Sequence, residues 1–507
     1  MKKFIAILMV AVLSGALAIP ASAAASITGL TIVNAHGNEL FTNILPSDGT
    51  GATGKLCYSG EKVVAAKATI NASGGVNYVL ELNYYEDGVL KQTVESSTVN
   101  SGAGAVAVTT DYLAIDRDPS VHISKCILEA KVVPSGGGAA VAEVATRGVG
   151  QHDIIQSMIP FYRSTVIYNE SVMMTEPVGG GAPEGRLAFE PLEILSVKNA
   201  QLDYEFVAGL DYEIADGKLR LLPNEYRADS LTQAQMYPTI AFHNVNAWAG
   251  KGGRRFVIWD EGIWRKQLAV TYTRAAESMW HGSEYSPSAT VLPKTQAILA
   301  GGSPLKIVVF GDSISAGGNA SRSTAPYLPN YANLFARTLM NNFASTVTVQ
   351  NESIGGTTAS VMRGTGEAAV AARGRVKAAS PDLIIIGFGA NDASGGFDKA
   401  KFKDDITFLI NDLKATNTEF ILLASTVANP ESVNVSNDGL FPQYAEALAE
   451  IQAARTDVAA VDMTGTHLAL MNAHGKLFID ITGSNVNHPN DYLTRWIAQH
   501  MSSLFID

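Results

Sequence analysis

Cysteine is scarce in this chain: only Cys57 and Cys126 occur among 507 residues. Two cysteines without clustered histidines exclude a zinc-type ligand spacing. In an exported protein the two thiols would be free to form one disulfide, which is the expectation here. The alternative is a pair of buried thiols, because the sequence fixes no distance between the two Cα atoms.

Basic clusters and long apolar segments are also missing. No run is rich in Lys or Arg, and the formal net charge is −11, which argues against nucleic acid or an anionic membrane as the main partner. Apolar residues make up 47% of the chain and charged residues 17%, as in ordinary globular proteins. Since 507 residues exceed one ordinary core, two to three folded units are expected.

Residues 1–23 have the three parts of a secretory signal peptide. Lys2 and Lys3 form the positive segment, an apolar stretch follows at 4–19, and small residues at 21–23 suit cleavage. The apolar stretch is short for a membrane span, and no later stretch reaches that length. We therefore expect an exported protein without a transmembrane segment after signal cleavage, located in the periplasm, at the cell surface or in the medium.

Two β-rich accessory regions are predicted after the signal peptide. Residues 24–148 contain short strands separated by turn clusters, with a hairpin signal at Asp87-Gly88, and resemble an immunoglobulin-like β-sandwich. Residues 149–290 form the second β-rich region, with another hairpin signal at Asp216-Gly217. The sequence does not decide whether these regions are two domains or one.

Residues 291–507 alternate between strand and helix patterns. Strands are predicted near 305–310, 346–350, 383–387, 420–425 and 458–462. Helices are predicted near 325–342, 359–379, 400–416, 440–455 and 491–505. This alternation predicts an α/β domain with a parallel, doubly wound sheet. Such a sheet carries its site at the carboxyl ends of its strands.

Ser313 lies just beyond the first of these strands. The run Ile307-Val308-Val309-Phe310 predicts a strand that is buried on both faces, and Gly311 ends it. Ser313 is therefore expected at the carboxyl end of the sheet, as a turn residue or as a nucleophile. A serine hydroxyl becomes a good nucleophile only when a neighbouring base takes its proton, so the second interpretation requires a histidine.

His488 is the best candidate for that base. It precedes Pro489 and the last predicted helix, which places it on a loop after the last strand. Three other histidines occur in the α/β region. His467 and His500 fall in helical segments, and His474 lies on a loop as a weaker rival.

Acyl transfer also needs hydrogen-bond donors for the oxyanion that develops on the substrate. Gly355 and Gly356 follow the second predicted strand, where a glycine N–H can approach a substrate without a side chain in the way. Asn391 follows the third strand and offers a side-chain amide. Taken singly, each of these residues is more typical of a turn.

Taken together, these residues resemble the conserved blocks of the SGNH (GDSL-type) serine hydrolases. The blocks Gly311-Asp312-Ser313-Ile314, Gly356, Gly389-Ala390-Asn391-Asp392 and His488-Pro489 occur in the order of that family, each after the proper strand. The resemblance covers about residues 303–507. It implies a three-layer α/β/α (flavodoxin-like) fold and hydrolysis of esters or thioesters without a metal or cofactor.

The resemblance also implies a role for each block. Ser313 would be the nucleophile, and His488 would be the general base and then the acid that protonates the leaving alcohol. The N–H groups of Ser313 and Gly356 and the side chain of Asn391 would bind the oxyanion. The choice of Gly356 over Gly355 follows from spacing alone.

The chain departs from the family three residues before the histidine, where Asn485 replaces the usual aspartate. An asparagine can still accept a hydrogen bond from the imidazole through its carbonyl oxygen, as in Cys-His-Asn sites. Asn485 is therefore the first candidate for the residue that orients His488. Asp480, Asp491 and a backbone carbonyl stay open as alternatives.

The leading functional hypothesis is an exported esterase that removes short acyl groups, acetyl first of all, from a carbohydrate or polysaccharide. Its support is the site, the export signal and the β-rich accessory regions, which often accompany polysaccharide-active SGNH enzymes. One alternative is a short-chain aryl or alkyl esterase or lysophospholipase acting on a small ester. Another is a surface glycan-binding protein whose hydrolase domain is inert. The oligomeric state is not fixed by the sequence.

Overall fold

The structure is a computed structural model. It describes residues 25–34, 42–44, 55–57, 63–115, 126–147, 157–202, 204–223, 228–238, 247–258, 262–288, 290–321, 326, 328–433 and 439–506. The predicted signal peptide at 1–23 lies outside the described residues, and so do the side chains of Cys57 and Cys126, so the expected disulfide stays a prediction. Among the described residues, no helix combines the length and the apolar character needed to cross a membrane.

The first β-rich region contains ten described strands. They are β1 (Ser26–Asn34), β2 (Thr42–Ile44), β3 (Lys55–Cys57), β4 (Val63–Asn71), β5 (Tyr78–Glu86), β6 (Val89–Glu95), β7 (Ala105–Thr109), β8 (Leu113–Ala114), β9 (Cys126–Pro134) and β10 (Ala142–Arg147). One antiparallel sheet contains β1, β4, β7 and β8, and another has the order β10-β9-β5-β6. Their inner faces share one core that includes Ile70, Leu80 and Val132, which confirms the predicted sandwich.

The second β-rich region contains β11 (Val166–Val172), β12 (Glu184–Arg186), β13 (Pro191–Asn199), β14 (Glu205–Phe206), β15 (Tyr212–Ala215), β16 (Lys218–Leu221), β17 (Ala247–Ala249), β18 (Arg255–Val257) and β19 (Leu268–Arg274). Two short α-helices, α1 (Gln233–Met236) and α2 (Gly262–Arg265), and a 3-10 helix (Lys251–Gly253) lie between these strands. The main antiparallel sheet has the order β11-β19-β13-β14. The hairpin of β15 and β16 turns at Asp216-Gly217, where both residues have positive φ, as the Asp-Gly signal predicts.

The last region has the predicted α/β alternation. Its elements are α3 (Pro293–Ala300), β20 (Leu305–Gly311), α4 (Tyr331–Asn342), β21 (Val347–Asn351), α5 (Ala359–Arg363), α6 (Glu367–Ala378), β22 (Leu383–Gly387), α7 (Ala390–Ser394), α8 (Lys399–Leu413), β23 (Glu419–Ala424), α9 (Leu440–Ala453), β24 (Val458–Asp462), α10 (Met463–Asn472), α11 (Phe478–Ile481) and α12 (Asp491–Ser502). The five strands are parallel, in the order β21-β20-β22-β23-β24. The predicted parallel α/β fold is confirmed.

Both faces of this sheet are covered, and β20 shows why its sequence is apolar throughout. Ile307 and Val309 belong to the core on one face, while Val308 and Phe310 belong to the core on the other face. Successive side chains of a strand point to opposite faces, so a strand between two cores needs apolar residues at every position. The result is the three-layer arrangement that the resemblance implies.

The core on the first of these faces extends into the second β-rich region. Ile167 of β11 and Tyr272 of β19 pack in the same cluster as Trp496 of α12 and Ile307 of β20, and all four are buried. The boundary predicted at residue 290 therefore separates two segments of chain that share one core. The second β-rich region is built into the α/β region.

A fully buried charged group joins the same two segments. Nζ of Lys476, which lies between α10 and α11, is 2.8 Å from Oε1 of Glu170 on β11. It also donates to the carbonyl oxygens of Ser171 and Arg186, at 2.9 Å each. A buried ammonium group needs such partners, because moving an unpaired ion out of water costs on the order of several kcal/mol.

Candidate active site

Ser313 lies directly after β20, where the strand order of the parallel sheet reverses. β21 pairs with one edge of β20 and β22 with the other. A crevice at the carboxyl ends of the strands is expected at such a switch point. The turn is tight, because a Cβ at Gly311 would overlap the carbonyl oxygen of Gly387. Asp312 braces it by accepting the N–H of Ile314 on Oδ1, at 2.9 Å.

His488 meets Ser313 across 175 residues of sequence. Nε2 of the imidazole lies 2.8 Å from Oγ of Ser313, within hydrogen-bond distance. The loop that carries His488 is closed by a hydrogen bond of 3.0 Å from the N–H of Gly483 to the carbonyl oxygen of His488. The structure thus brings together the two residues that the sequence singled out as nucleophile and base.

The other imidazole nitrogen contacts a residue that the sequence analysis missed. Nδ1 of His488 lies 2.5 Å from Oδ1 of Asn319. An amide oxygen only accepts hydrogen bonds, so this contact places the imidazole hydrogen on Nδ1. Nε2 then presents its lone pair to the hydroxyl of Ser313, which is the tautomer that a general base requires.

The side chain of Asn485 bonds elsewhere while Asn319 lies at Nδ1, and the prediction that Asn485 orients the imidazole is corrected. Its Nδ2 donates to the carbonyl oxygen of Val257 on β18, at 2.7 Å, and its Oδ1 accepts from Nδ2 of Asn429, at 3.1 Å. Its φ of 54° is a left-handed conformation, which asparagine tolerates better than most residues. Asn485 instead fastens the histidine loop to the second β-rich region.

The two aspartates held open as alternatives also bond elsewhere. Oδ1 and Oδ2 of Asp480 accept the N–H groups of Met173 and Leu477, at 2.8 and 2.7 Å. Oδ1 of Asp491 accepts the N–H of Ser321, at 2.8 Å. These carboxylates therefore brace backbone around the histidine loop.

Asn319 had one local signal in the sequence, the string Gly317-Gly318-Asn319 that follows the nucleophile block. A Cβ at Gly318 would lie 3.3 Å from both Cε1 and Nδ1 of His488, so glycine leaves room for the imidazole ring. Asn319 has a φ of 60° in the left-handed region that asparagine populates more than most residues. The sequence alone does not connect this string with His488, because 169 residues separate Asn319 from the imidazole.

The glycine loop after β21 lies against the nucleophile. A Cβ at Gly355 would be 3.6 Å from Cβ of Ser313, and the N–H of Ile354 donates to the carbonyl oxygen of Gly311, at 2.9 Å. Gly356 follows with a φ of 75° and is exposed. Within the described part of the chain, the N–H groups of Ser313 and Gly356 have no protein acceptor. Unpaired donors beside a nucleophile can stabilise an oxyanion.

Asn391, the third predicted donor, is tied to the same loop. It lies in α7, directly after β22, and its Nδ2 donates to the carbonyl oxygen of Thr357, at 2.9 Å. That bond uses one of the two amide hydrogens, so the other can serve a substrate oxygen. Asp392 accepts the N–H of Ala359 at the start of α5, at 3.0 Å, and so fixes the far end of the glycine loop. The structure therefore joins the blocks around Gly356 and Asn391.

Residues 309–493 match the sequence model of the GDSL-like lipase/acylhydrolase family. The match lies within the α/β region and covers somewhat over a third of the chain. The predicted resemblance to GDSL-type hydrolases is confirmed for this region. The comparison with curated proteins gave no match.

Solved structures similar to this chain include several esterases. A two-domain esterase active on acetylated mannans is 22% identical, with a TM-score of 0.32, over 42% of this chain and 53% of that one. The chain thus spans about half of that esterase. A variant of an acetyl-xylooligosaccharide esterase from Geobacillus Stearmophilus is 19% identical, with a TM-score of 0.30, over 39% and 92% of the two chains. A lipase/acylhydrolase from Enterococcus faecalis is 22% identical, with a TM-score of 0.29, over 37% and 88%.

The electrostatics of the GDSL-type site keep the histidine neutral. Burial lowers the pKa of His488 to about 4, because desolvation disfavours the imidazolium, and the neighbouring Asn319 carries no charge to oppose this. Burial raises the pKa of Asp312 to about 7 and that of Asp392 to about 6. Both aspartates bond backbone N–H groups, which is a bracing role.

The pH dependence of hydrolysis tests the contact between His488 and Asn319. A general base acts only when deprotonated, so kcat/KM is expected to fall as the pH drops below the pKa of about 4, well under the ordinary histidine value. Asn319→Asp places a carboxylate beside Nδ1, which stabilises the imidazolium. The pKa below which kcat/KM falls should therefore rise by about 1–3 units. The measurement is kcat/KM against pH for both proteins.

Asn485→Ala is the matched control for this experiment. The side chain of Asn485 bonds to Val257 and Asn429, so the pH at which kcat/KM falls should be the same as in the unaltered protein, even if the variant is less stable. If the pH at which kcat/KM falls changes with Asn485→Ala and not with Asn319→Asp, the orienting role belongs to Asn485.

Proposed function

We propose that this protein is an exported serine esterase that removes acetyl or similarly short acyl groups from a carbohydrate. The observation that carries the proposal is the chain of two hydrogen bonds from Ser313 through His488 to Asn319. A nucleophile bonded to a base, with the base held by a third group, is the arrangement that activates a serine hydroxyl. The GDSL-type family of the α/β region supports the same chemistry.

In the proposed reaction, Oγ of Ser313 attacks the acyl carbon while Nε2 of His488 takes the hydroxyl proton. The resulting oxyanion receives hydrogen bonds from the N–H groups of Ser313 and Gly356 and from the amide of Asn391. His488 then gives its proton to the leaving alcohol, and the acyl group stays on Ser313. A water molecule gives a proton to His488 and attacks this acyl-enzyme. The carboxylic acid is released as His488 returns that proton to Oγ of Ser313.

Asn319 has a defined part in this mechanism. Its oxygen holds the imidazole in the reactive tautomer, but it adds no negative charge when the imidazolium forms. The base is therefore weaker than one held by an aspartate and stays unprotonated in more acidic solution. A site of this kind is expected to work at neutral and at mildly acidic pH.

A large neutral substrate is supported by the exposure and the charge of the molecule. Gly355 and Gly356 are exposed beside Ser313, so the site faces solvent where a polymer can approach. The net charge of −11 repels anionic polysaccharides and anionic lipid surfaces. Export rests on residues 1–23, and a mature N-terminus at Ala24 in the protein isolated from its native cells would support it.

The test compares acyl length and alcohol. Initial rates are measured with p-nitrophenyl acetate, butyrate and octanoate, and acetate release is measured from acetylated mannan and acetylated xylan, with Ser313→Ala as the blank. The proposal expects acetate esters to react fastest and acetate to be released from at least one polysaccharide. A preference for octanoate would favour a lipase or lysophospholipase, and no turnover above the blank would favour an inert, glycan-binding protein.

A further inference from the structure

A cavity of about 70 Å³ lies between the second β-rich region and α12. Most of the wall surface is apolar, and the residues that contribute it include Leu202, Trp264, Leu268, Ala269, Pro326 and Leu328. Arg495 of α12 also lines it, and so does Asn319. On a scale where roughly 10–15 Å³ holds one water molecule, the cavity has room for several waters or for one short organic molecule.

Arg495 is the unusual group in this wall. Its side chain is buried, with the residue only 4% exposed, and its guanidinium packs against the rings of Phe161 and Tyr492, at 5.0 and 5.6 Å from their centroids. Nη2 donates to the carbonyl oxygen of Asn169, at 2.6 Å, but Nη1 has no partner among the described residues. A buried charged donor without an acceptor is costly, so Nη1 is a favourable place for an anion to bind.

The nearby carboxylates are engaged elsewhere. Glu170 bonds to Nζ of Lys476, the N–H of Ala188 and the hydroxyl of Tyr272. Asp491 lines the cavity, yet its Oδ1 accepts the N–H of Ser321, and it forms no ion pair with Arg495 in the described part of the chain. The guanidinium is therefore the group in the cavity wall best able to bind an anion.

We propose that this cavity binds a short-chain monocarboxylate. The carboxylate accepts from Nη1 of Arg495, and the alkyl group packs against Trp264 and Leu268. A guanidinium recognises a carboxylate through charge-assisted hydrogen bonds, and the apolar wall rejects small inorganic anions, which gain nothing from it. The volume limits the alkyl group to a few carbon atoms.

A molecule bound in the cavity can affect the catalytic histidine through one residue, Asn319. Asn319 lines the cavity and also holds Nδ1 of His488. A bound carboxylate that contacts Asn319 shifts this amide and lowers kcat without competing for Ser313. This regulatory part rests on the proposed function, because the acids that such an esterase releases belong to the class that the cavity fits.

Binding is measured first, by calorimetry on the full mature chain carrying Ser313→Ala, so that the result does not depend on turnover. The probes are sodium butyrate and its neutral analogue butyramide. The proposal expects saturable binding of one butyrate per chain and at least tenfold weaker binding of butyramide. Equal binding of the two probes, or none, overturns the carboxylate site whether or not the protein is an esterase.

Two variants locate the binding. Ala269→Leu fills the cavity and keeps the charge, and Arg495→Gln removes the charge; each is expected to weaken butyrate binding at least tenfold. Ala297→Leu, the same enlargement on an exposed position of α3, is the matched control and should bind butyrate normally. If Arg495→Gln fails to fold, Ala269→Leu still decides, and its unchanged affinity would place the butyrate elsewhere.

Kinetics test the coupling separately. In the protein with Ser313 intact, saturating butyrate is expected to lower kcat at least twofold with little change in KM. The same butyrate should leave the kcat of Ala269→Leu unchanged relative to that variant alone. A rise in KM alone would mean that butyrate binds at Ser313, and this would overturn the regulatory role.

Discussion

Replacing Ser313 by alanine is expected to lower kcat/KM for p-nitrophenyl acetate by about 10⁴-fold or more. The hydroxyl is the group that would form the covalent intermediate, and its Oγ lies 2.8 Å from Nε2 of His488. Loss of a serine nucleophile in a hydrolase typically removes most of the rate enhancement and leaves the contribution of the oxyanion hole and of binding. Steady-state kinetics and circular dichroism on the same preparation make the comparison.

Ser353→Ala is the matched control for this prediction. Ser353 precedes the glycine loop by two residues, and its Oγ is buried without a partner among the described residues. Its removal should change kcat/KM by less than about threefold, since no bond to the site is lost. Equal losses in the two variants would mean that the rate depends on the packing of this loop and not on the hydroxyl of Ser313.

Replacing Lys476 by methionine is expected to lower the free energy of unfolding by about 3–5 kcal/mol. The lysine and Glu170 are both fully buried, and the substitution leaves a carboxylate and two carbonyl oxygens without their ammonium donor. Breaking a buried pair by removing one partner is far more costly than breaking an exposed pair. Urea denaturation followed by tryptophan fluorescence measures the change.

Lys399→Met provides the comparison. Lys399 on α8 pairs with Glu446 and Glu450 at the surface, so its substitution should produce no resolvable change in the urea midpoint. A small effect at Lys476, similar to that at Lys399, would contradict the buried joint between β11 and the α/β region. The two segments would then be joined less tightly than the buried ion pair implies.

The α/β sheet could be predicted from the sequence because each of its strands carries a strong local pattern. The predicted strand at 383–387 coincides with β22, and the one at 305–310 differs from β20 by a single residue. The predicted helices agree less closely with the structure. The single helix expected at 359–379 is two helices, α5 and α6, separated where Gly364 and Gly366 interrupt the segment.

The site was predictable only where its residues belong to ordered sequence blocks. Ser313 and His488 follow particular strands in the family's order, and the fold brings them to 2.8 Å. Asn319 lies 169 residues from His488, so only the folded chain reveals their contact. The role of Asn485 could not be predicted, because its partner, the carbonyl oxygen of Val257, lies in the second β-rich region.

The shared core was missed for a related physical reason. An apolar pattern shows that a face of a strand or helix is buried, but it does not show what covers that face. The strand patterns of β11 and β19 are those of an independent β-domain, yet Ile167 and Tyr272 pack with Trp496 of the last helix. A domain boundary placed where β-strand patterns change to alternating strands and helices therefore falls inside one packed unit.

Active-site labelling tests the central claim most directly. The mature protein is treated with a fluorophosphonate, which reacts with activated serine hydroxyls, and the adduct is located by peptide mass spectrometry. The account predicts one adduct per chain on Ser313, none in Ser313→Ala, and labelling at least about 10²-fold slower in His488→Ala, because the base that activates the hydroxyl is gone. Labelling of another residue, or no labelling of the intact protein, would contradict the assignment of Ser313 as a nucleophile activated by His488.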